Sequence, residues 1–160
     1  MKRLYIGISI DEIVNKYSDM LIRIAFQNLK SIHDAEDIAQ SVYMKLIEKN
    51  PDFISEDHLK SWLIRVCINK CKDHFKSSWF KKTCPLDDSI ILFAPEEKEI
   101  IEEIFELQRE DRNIIYLYYY EGYSIKEIAS ILRKKENTVS SKLQRARKKL
   151  KVLIQEGRIS

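Results

Sequence analysis

Glycine and proline are scarce in this chain, three of each in 160 residues. That scarcity excludes a loop-rich or many-turned β architecture and favours long uninterrupted elements, an expectation strengthened by 24 Ile and 8 Tyr. Cysteine is also rare and odd in number, three, so the thiols cannot all pair within the chain. A secreted disulfide framework is therefore not expected, and a reducing compartment is. No apolar run approaches the roughly 18 residues of a membrane span; the longest is Ile114–Tyr120. The opening Met1-Lys2-Arg3 followed by apolar Leu4–Ile10 imitates a leader peptide, but Asp11 and Glu12 interrupt it and no small-residue cleavage site follows. A cytoplasmic protein with no membrane contact is expected. There is no glycine-rich phosphate loop, and His33, His58 and His74 lack the paired partners of a nucleophilic or metal site, so neither an enzyme nor a cofactor is expected.

What the chain does have is charge, 33% of its residues, unevenly laid out. Residues 1–86 carry 14 basic and 11 acidic side chains, residues 87–108 carry 1 and 8, and residues 109–160 carry 13 and 6. Within these blocks, residues 60–82 hold 7 basic against 1 acidic, and residues 133–151 hold 9 against 1. Two positive segments separated by an acidic stretch suggest two polyanion contacts, although a solvated helix face produces the same pattern.

Hydrophobic content of 44% is enough for cores, and its spacing is helical. Ile10, Ile13, Val14, Tyr17, Leu21 and Ile24 form one stripe. Ala35, Ile38, Ala39, Val42 and Leu46 form a second, after Ser31 and Asp34, either of which can cap the helix. A third helix is expected from near Asp57 towards Lys76. Leu59, Trp62, Leu63 and Val66 line one side of it and Ile64, Ile68, Cys71 and Phe75 the other, so its middle must be packed on two sides. Arg65, Asn69, Lys72 and Lys76 recur at i, i+4, i+7 and i+11, a polar, basic face able to follow a DNA backbone.

Between Lys82 and Glu96 the periodicity fails, with Pro85 and Pro95 bracketing Asp87, Asp88 and an apolar patch Ile90–Phe93, and a linker is placed there. Helices over Glu96–Leu107 and Asp111–Glu121, with a stop at Gly122, are expected next. Ser124-Ile125-Lys126-Glu127 is a capping box that opens a short helix with Ile125, Ile128, Ala129 and Leu132 on its apolar face. Three residues, Arg133 to Lys135, separate it from a helix buried on Val139, Leu143, Ala146 and Leu150. That is helix-turn-helix spacing. At 100° per residue the opposite face carries Asn137, Ser141, Gln144, Arg145 and Lys148, flanked by Thr138, Ser140, Lys142 and Arg147, side chains suited to base edges and phosphates.

Tyr123-Ser-Ile-Lys-Glu-Ile-Ala-Ser-Ile-Leu132 and Glu136-Asn-Thr-Val-Ser-Ser-Lys-Leu-Gln-Arg-Ala-Arg-Lys-Lys-Leu150 together resemble the C-terminal DNA-binding domain of bacterial extracytoplasmic-function sigma factors, specificity subunits of RNA polymerase. Asp34-Ala-Glu-Asp-Ile-Ala-Gln40 resembles that family's polymerase-binding helix, and Trp62-Leu-Ile-Arg-Val-Cys-Ile-Asn-Lys-Cys-Lys-Asp-His74 its promoter-melting helix. The resemblance covers residues 10–155 and implies an all-α protein of two small helical domains joined by a flexible acidic linker. Residues 1–82 are then the domain for polymerase binding and for recognising and melting the minus-ten element, 83–95 the linker, and 96–160 the helix-turn-helix domain reading the minus-thirty-five element. It further implies that Asp34, Glu36, Asp37 and Gln40 contact core RNA polymerase, through the β′ coiled coil. Phe53 and Asn69 match the pocket for a flipped base, and Asn137, Thr138, Ser140, Ser141, Gln144, Arg145, Arg147 and Lys148 read the upstream element. Implied partners are core RNA polymerase (β′ and β subunits), promoter DNA and an anti-sigma protein. Departures are Ser41 where an acidic residue is common, Arg133 where glycine is common in the turn, Lys135 where serine caps the recognition helix, and Leu107-Gln108 for Leu-Pro.

Two rival readings stay beside this one. Cys67, Cys71 and His74 share one helix face, with Cys84 just beyond, so a zinc or thiol-sensor site can be drawn, but structural zinc sites draw cysteine pairs from at least two chain segments. No metal site is expected. A stand-alone helix-turn-helix repressor or activator needs a dimer surface or ligand pocket, and residues 1–82 offer neither in recognisable form.

Overall fold

A computed structural model describes residues 4–77 and 104–153. The expected linker over 83–95, the Ile90–Phe93 patch, residues 78–82, Cys84 and most of the expected helix over 96–107 lie outside the described residues. The chain divides into two compact units, Met1–Pro85 and Leu86–Ser160.

The first unit is a three-helix bundle with a small β-hairpin at its start. Strands β1 (Leu4–Tyr5) and β2 (Ile8–Ser9) pair antiparallel, Leu4 opposite Ser9 and Tyr5 opposite Ile8. The two turn residues, Ile6 at φ 53° and Gly7 at φ 76°, have the positive φ pair that a two-residue hairpin requires. The apolar run that imitates a leader peptide is thus a folded element, anchored by Tyr5 at 3% exposure.

Helix α1 (Ile10–Leu29) starts at Ser9, whose hydroxyl accepts from Glu12 N–H, and ends on Lys30 in the left-handed conformation. Ile13, Tyr17, Leu21 and Ile24 are buried as their spacing predicts, and burial continues through Ala25 to Leu29, which the stripe does not. Asn28 is accommodated there by donating its Nδ2 to Ile24 O at 2.7 Å. Helix α2 (Ile32–Lys49) is capped by Ser31, not Asp34: the Ser31 hydroxyl accepts from Asp34 N–H at 3.3 Å. All five residues of its predicted stripe are buried. Helix α3 (Glu56–Ser77) starts where the Ser55 hydroxyl accepts from His58 N–H at 3.1 Å. Leu59 and Leu63 on one side and Ile64, Ile68 and Cys71 on the other are all at 3% exposure or less, so its middle is packed on two sides against α1 and α2.

In the second unit α4 (Arg109–Ile115) runs into a π-helical turn, Tyr116–Tyr120, where one uninterrupted α-helix is predicted. Glu121 N–H donates to Tyr116 O at 3.2 Å, and Tyr116 stacks on Tyr120 with ring centroids 5.0 Å apart. Gly122, at φ 75°, ends the segment. Helix α5 (Ile125–Leu132) carries the complete capping box: Glu127 N–H donates to Ser124 Oγ at 3.1 Å, and Ser124 N–H to Glu127 Oε1 at 3.0 Å. Arg133 then turns left-handed at φ 55°, ψ 48°, and α6 (Glu136–Leu153) packs on α4 and α5 through Val139, Leu143 and Ala146, each at 1% exposure or less.

Candidate nucleic-acid interface

Helix α6 has one face to bury and one to present. With Val139, Leu143 and Ala146 turned to the core, Asn137, Ser141, Gln144, Arg145 and Lys148 are exposed together on the opposite face, and Thr138 and Ser140 are half-buried on its edge. The cations of this helix divide into two groups that periodicity does not separate. Arg145 and Lys148 make no ion pair or side-chain hydrogen bond among the described residues. Lys142 Nζ is 3.2 Å from Glu110 Oε2, Lys149 Nζ donates to Glu106 O at 3.0 Å, and Arg147 Nε donates to the Tyr119 hydroxyl. The Arg147 guanidinium also lies 5.1 Å from the Tyr118 ring centroid and 5.3 Å from that of Tyr119.

Glu110 is the hub of this arrangement. Its second oxygen is 3.2 Å from Lys134 Nζ in the turn between α5 and α6, so one carboxylate ties the first turn of α4 to the turn and to the second helix of the helix-turn-helix. Burial raises the affinity of Glu110 for a proton, but the two ammonium groups more than offset this and hold its carboxyl below the usual range. Nearby, Arg112 is only 6% exposed. It donates from Nη1 to Leu107 O at 2.9 Å and lies over the Phe105 ring, and burial, with Arg109 adding to it, pulls its pKa down to about 10.

In the first unit, α2 turns Glu36, Asp37 and Gln40 outward, while Asp34 is drawn in, its Oδ2 3.7 Å from His74 Nε2 on α3. Asp37 stands 3.7 Å from His33. Asp37, Gln40, Ser41, Met44 and Glu48 of α2 and Lys70 of α3 line an open groove. Met44, at 58% exposure, and Ile47, at 45%, put apolar surface on this polar face. Helical periodicity does not single out either residue. Their signal was visible, since they are large apolar residues off the Ala35–Leu46 stripe, where burial gives no reason for them.

On α3, Asn69 and Lys76 are exposed and Arg65 and Lys72 half-buried along the expected face. Phe53 is buried in this structure. The ring expected to meet a flipped base is 8% exposed, edge-on to Trp62 at 5.8 Å and to His58 at 5.2 Å, with Tyr5 of the hairpin at 6.5 Å. An aromatic gains more by burying its area against three rings than by standing in water, and the loop instead exposes Ile54, at 91%. Trp62, expected as core, is only half-buried beneath Phe53. Cys67 and Cys71 are fully buried, and the neighbouring Cys71 sulfur, with burial, pushes the Cys67 thiol well above its ordinary value. Among the described residues no group of three His, Cys, Asp or Glu side chains is placed to hold a metal ion, and no helix is long and apolar enough to cross a membrane.

Two family models match this chain: Sigma-70 region 2 over residues 13–81 and Sigma-70 region 4 over residues 97–150. Among curated proteins, the chain is 31% identical to the ECF RNA polymerase sigma factor SigM of Bacillus subtilis, covering 93% of this chain and 97% of that one. It is 28% identical to the RNA polymerase sigma factor SigV of the same organism, covering 86% of each. Among solved structures, the sigma factor RpoE of Bartonella quintana, crystallised with the anti-sigma factor NepR, shares the fold at a TM-score of 0.74 and 20% identity, over 91% of this chain and 96% of that one. CnrH, in complex with the cytosolic domain of CnrY, shares it at 0.70 and 22%, over 92% and 88%.

Proposed function

The chain belongs to the extracytoplasmic-function family of RNA polymerase sigma factors, and from this premise we propose which of its surfaces meets which partner. It is a transcription initiation factor that directs core RNA polymerase to promoters. The upstream promoter element is read by α6, with Asn137, Ser141 and Gln144 at base edges and Arg145 and Lys148 on phosphates. The observation that carries this reading is the exposed polar face of α6 directly opposite the buried Val139, Leu143 and Ala146.

Core polymerase is met by the outer face of α2. Asp37 and Gln40 supply its polar contacts and Met44 and Ile47 its apolar ones, a combination of anchor and polar rim suited to a protein partner. Asp34, committed to His74, holds α2 on α3 and is a minor contact. The melted strand follows Arg65, Asn69, Lys72 and Lys76 on α3, with Phe53 supporting the loop from beneath. The protein works where its polymerase is, in the cytoplasm, with no catalytic group of its own. By analogy with its structural relatives, it is held inactive by an anti-sigma protein.

The test is reconstitution. Mixed with core polymerase, the full chain starts transcripts from a discrete set of promoters, whereas alone it binds the same duplexes weakly and with strong salt dependence, because polymerase makes the second contact intramolecular. Tight, dimeric, polymerase-independent binding to a palindromic site would instead identify an operator-binding repressor.

A further inference from the structure

The contact between Arg147 and the π-helical turn is more specific than a surface staple requires. A guanidinium has five donors in a planar fork. Here Nε donates to the Tyr119 hydroxyl, and the guanidinium carbon lies over the rings of Tyr118 and Tyr119, 5.1 and 5.3 Å from their centroids. These contacts, with a weaker one to the Tyr118 side chain, fix the position of the group, and it is Nε, not the Nη edge, that the Tyr119 hydroxyl engages. Arg147 and Tyr119 are both exposed, the latter at 58%. At 100° per residue Arg147 falls on the shoulder of α6 next to Ser140 and Gln144, at the margin of the face assigned to DNA.

We infer that Tyr119 and Arg147 form a preorganised phosphate-binding pair that anchors the DNA backbone at the edge of the upstream element, with Tyr119 as its positioning residue. Two oxygens of a phosphate at this edge are met by the paired Nη donors, the bidentate geometry that arginine supplies and lysine does not, while the Tyr119 hydroxyl acts only by holding Nε in place. The two rings restrict the rotamers of a long side chain before DNA arrives, so less freedom is lost on binding. π-Helical turns often occur at functional sites, and in this one Tyr118 and Tyr119 both reach the same guanidinium.

The pair deepens the assignment of α6 to DNA and rests on it, so the experiment separates the two. The full chain is titrated with a short duplex of random sequence across a range of KCl concentrations, for wild type, Arg147→Ala, Tyr119→Phe, the double variant and Lys148→Ala. Arg147→Ala is expected to reduce the salt slope by about one unit, as one lost phosphate contact does. Tyr119→Phe is expected to keep the slope and the melting temperature but lower affinity about two- to fivefold, in the range of one lost hydrogen bond, since the ring stays and only the acceptor for Nε goes, and to have no further effect in the Arg147→Ala background. If Lys148→Ala reduces the slope and Arg147→Ala only lowers the melting temperature, Arg147 is a staple and the inference fails while the DNA face stands. Additive losses from Tyr119→Phe and Arg147→Ala would overturn the positioning role. No change of slope in either Lys148→Ala or Arg147→Ala would overturn the DNA face itself.

Discussion

Lys142 of the recognition helix is 3.2 Å from Glu110 of α4, 32 residues away in sequence, and the same carboxylate is 3.2 Å from Lys134. A cation that the charge count assigns to DNA is thereby spent on holding the helix-turn-helix to the helix before it. Lys142→Ala should therefore lower the melting temperature of the second unit and leave the salt slope of DNA binding unchanged, whereas Lys148→Ala does the reverse, reducing the slope by about one unit. Slopes measured across KCl and melts followed by circular dichroism check both.

Glu110 also sets an acid limit. Its folded pKa is depressed, so its contribution is present above the unfolded carboxylate value, about 4.3, and is lost as pH falls through the lower folded value. Glu110→Gln should cost about 0.5–1 kcal/mol at neutral pH, a small figure because the side chain is a third exposed and solvent screens it. The difference from wild type should vanish at the acid end of a melting series; a difference that persists there counts against the ion pairs as its source.

Replacing Asp37 and Gln40 by Ala should weaken polymerase binding while helicity and melting stay near wild type, since both side chains are exposed on α2. Met44→Ser should add to the loss, about tenfold in affinity if Met44 fills a pocket on the partner. Asp34→Ala should show the contrary pattern, with the α2–α3 contact weakened through His74. Unfolding of the Asp37/Gln40 double variant would make those residues structural.

Phe53 should behave as a core residue. Phe53→Ala is expected to cost about 3 kcal/mol, near the lower bound for emptying an aromatic site, and Phe53→Leu to retain strand opening in permanganate footprints. Strand opening that fails in a well-folded Phe53→Leu protein would restore the ring to the DNA contact.

Arg133 holds a left-handed conformation, φ 55°, in the turn of the helix-turn-helix. A Cβ is disfavoured there by roughly 1–2 kcal/mol, part of which returns as the greater unfolded-state freedom of glycine. Arg133→Gly should thus raise stability by about 0.5–1 kcal/mol in urea titrations, with the denaturant slope unchanged.

Local pattern was enough to determine the α1, α2 and α3 stripes, the two-sided burial of α3, the Ser124–Glu127 capping box and the polar face of α6. Each depends on residues within a few turns of one another, where 3.6-residue periodicity and first-turn hydrogen bonding dominate. The same pattern made the helix-turn-helix legible, together with the family it resembles. Only tertiary structure decided which of the cations on α6 have partners within the protein. The partners that claim Lys142 and Arg147 lie 32 and 28 residues away on other elements, and a stripe tells which way a side chain points but not what meets it. Phe53 was decided in the same way. A loop aromatic has no period, and its burial comes from His58 and Trp62 of α3 together with Tyr5, which belongs to a hairpin some fifty residues earlier that the apolar run at 4–10 concealed. The π-helical turn at Tyr116–Tyr120 likewise leaves no trace in an apolar and aromatic run that suits an α-helix equally well, and it is there that Tyr118 and Tyr119 both reach Arg147.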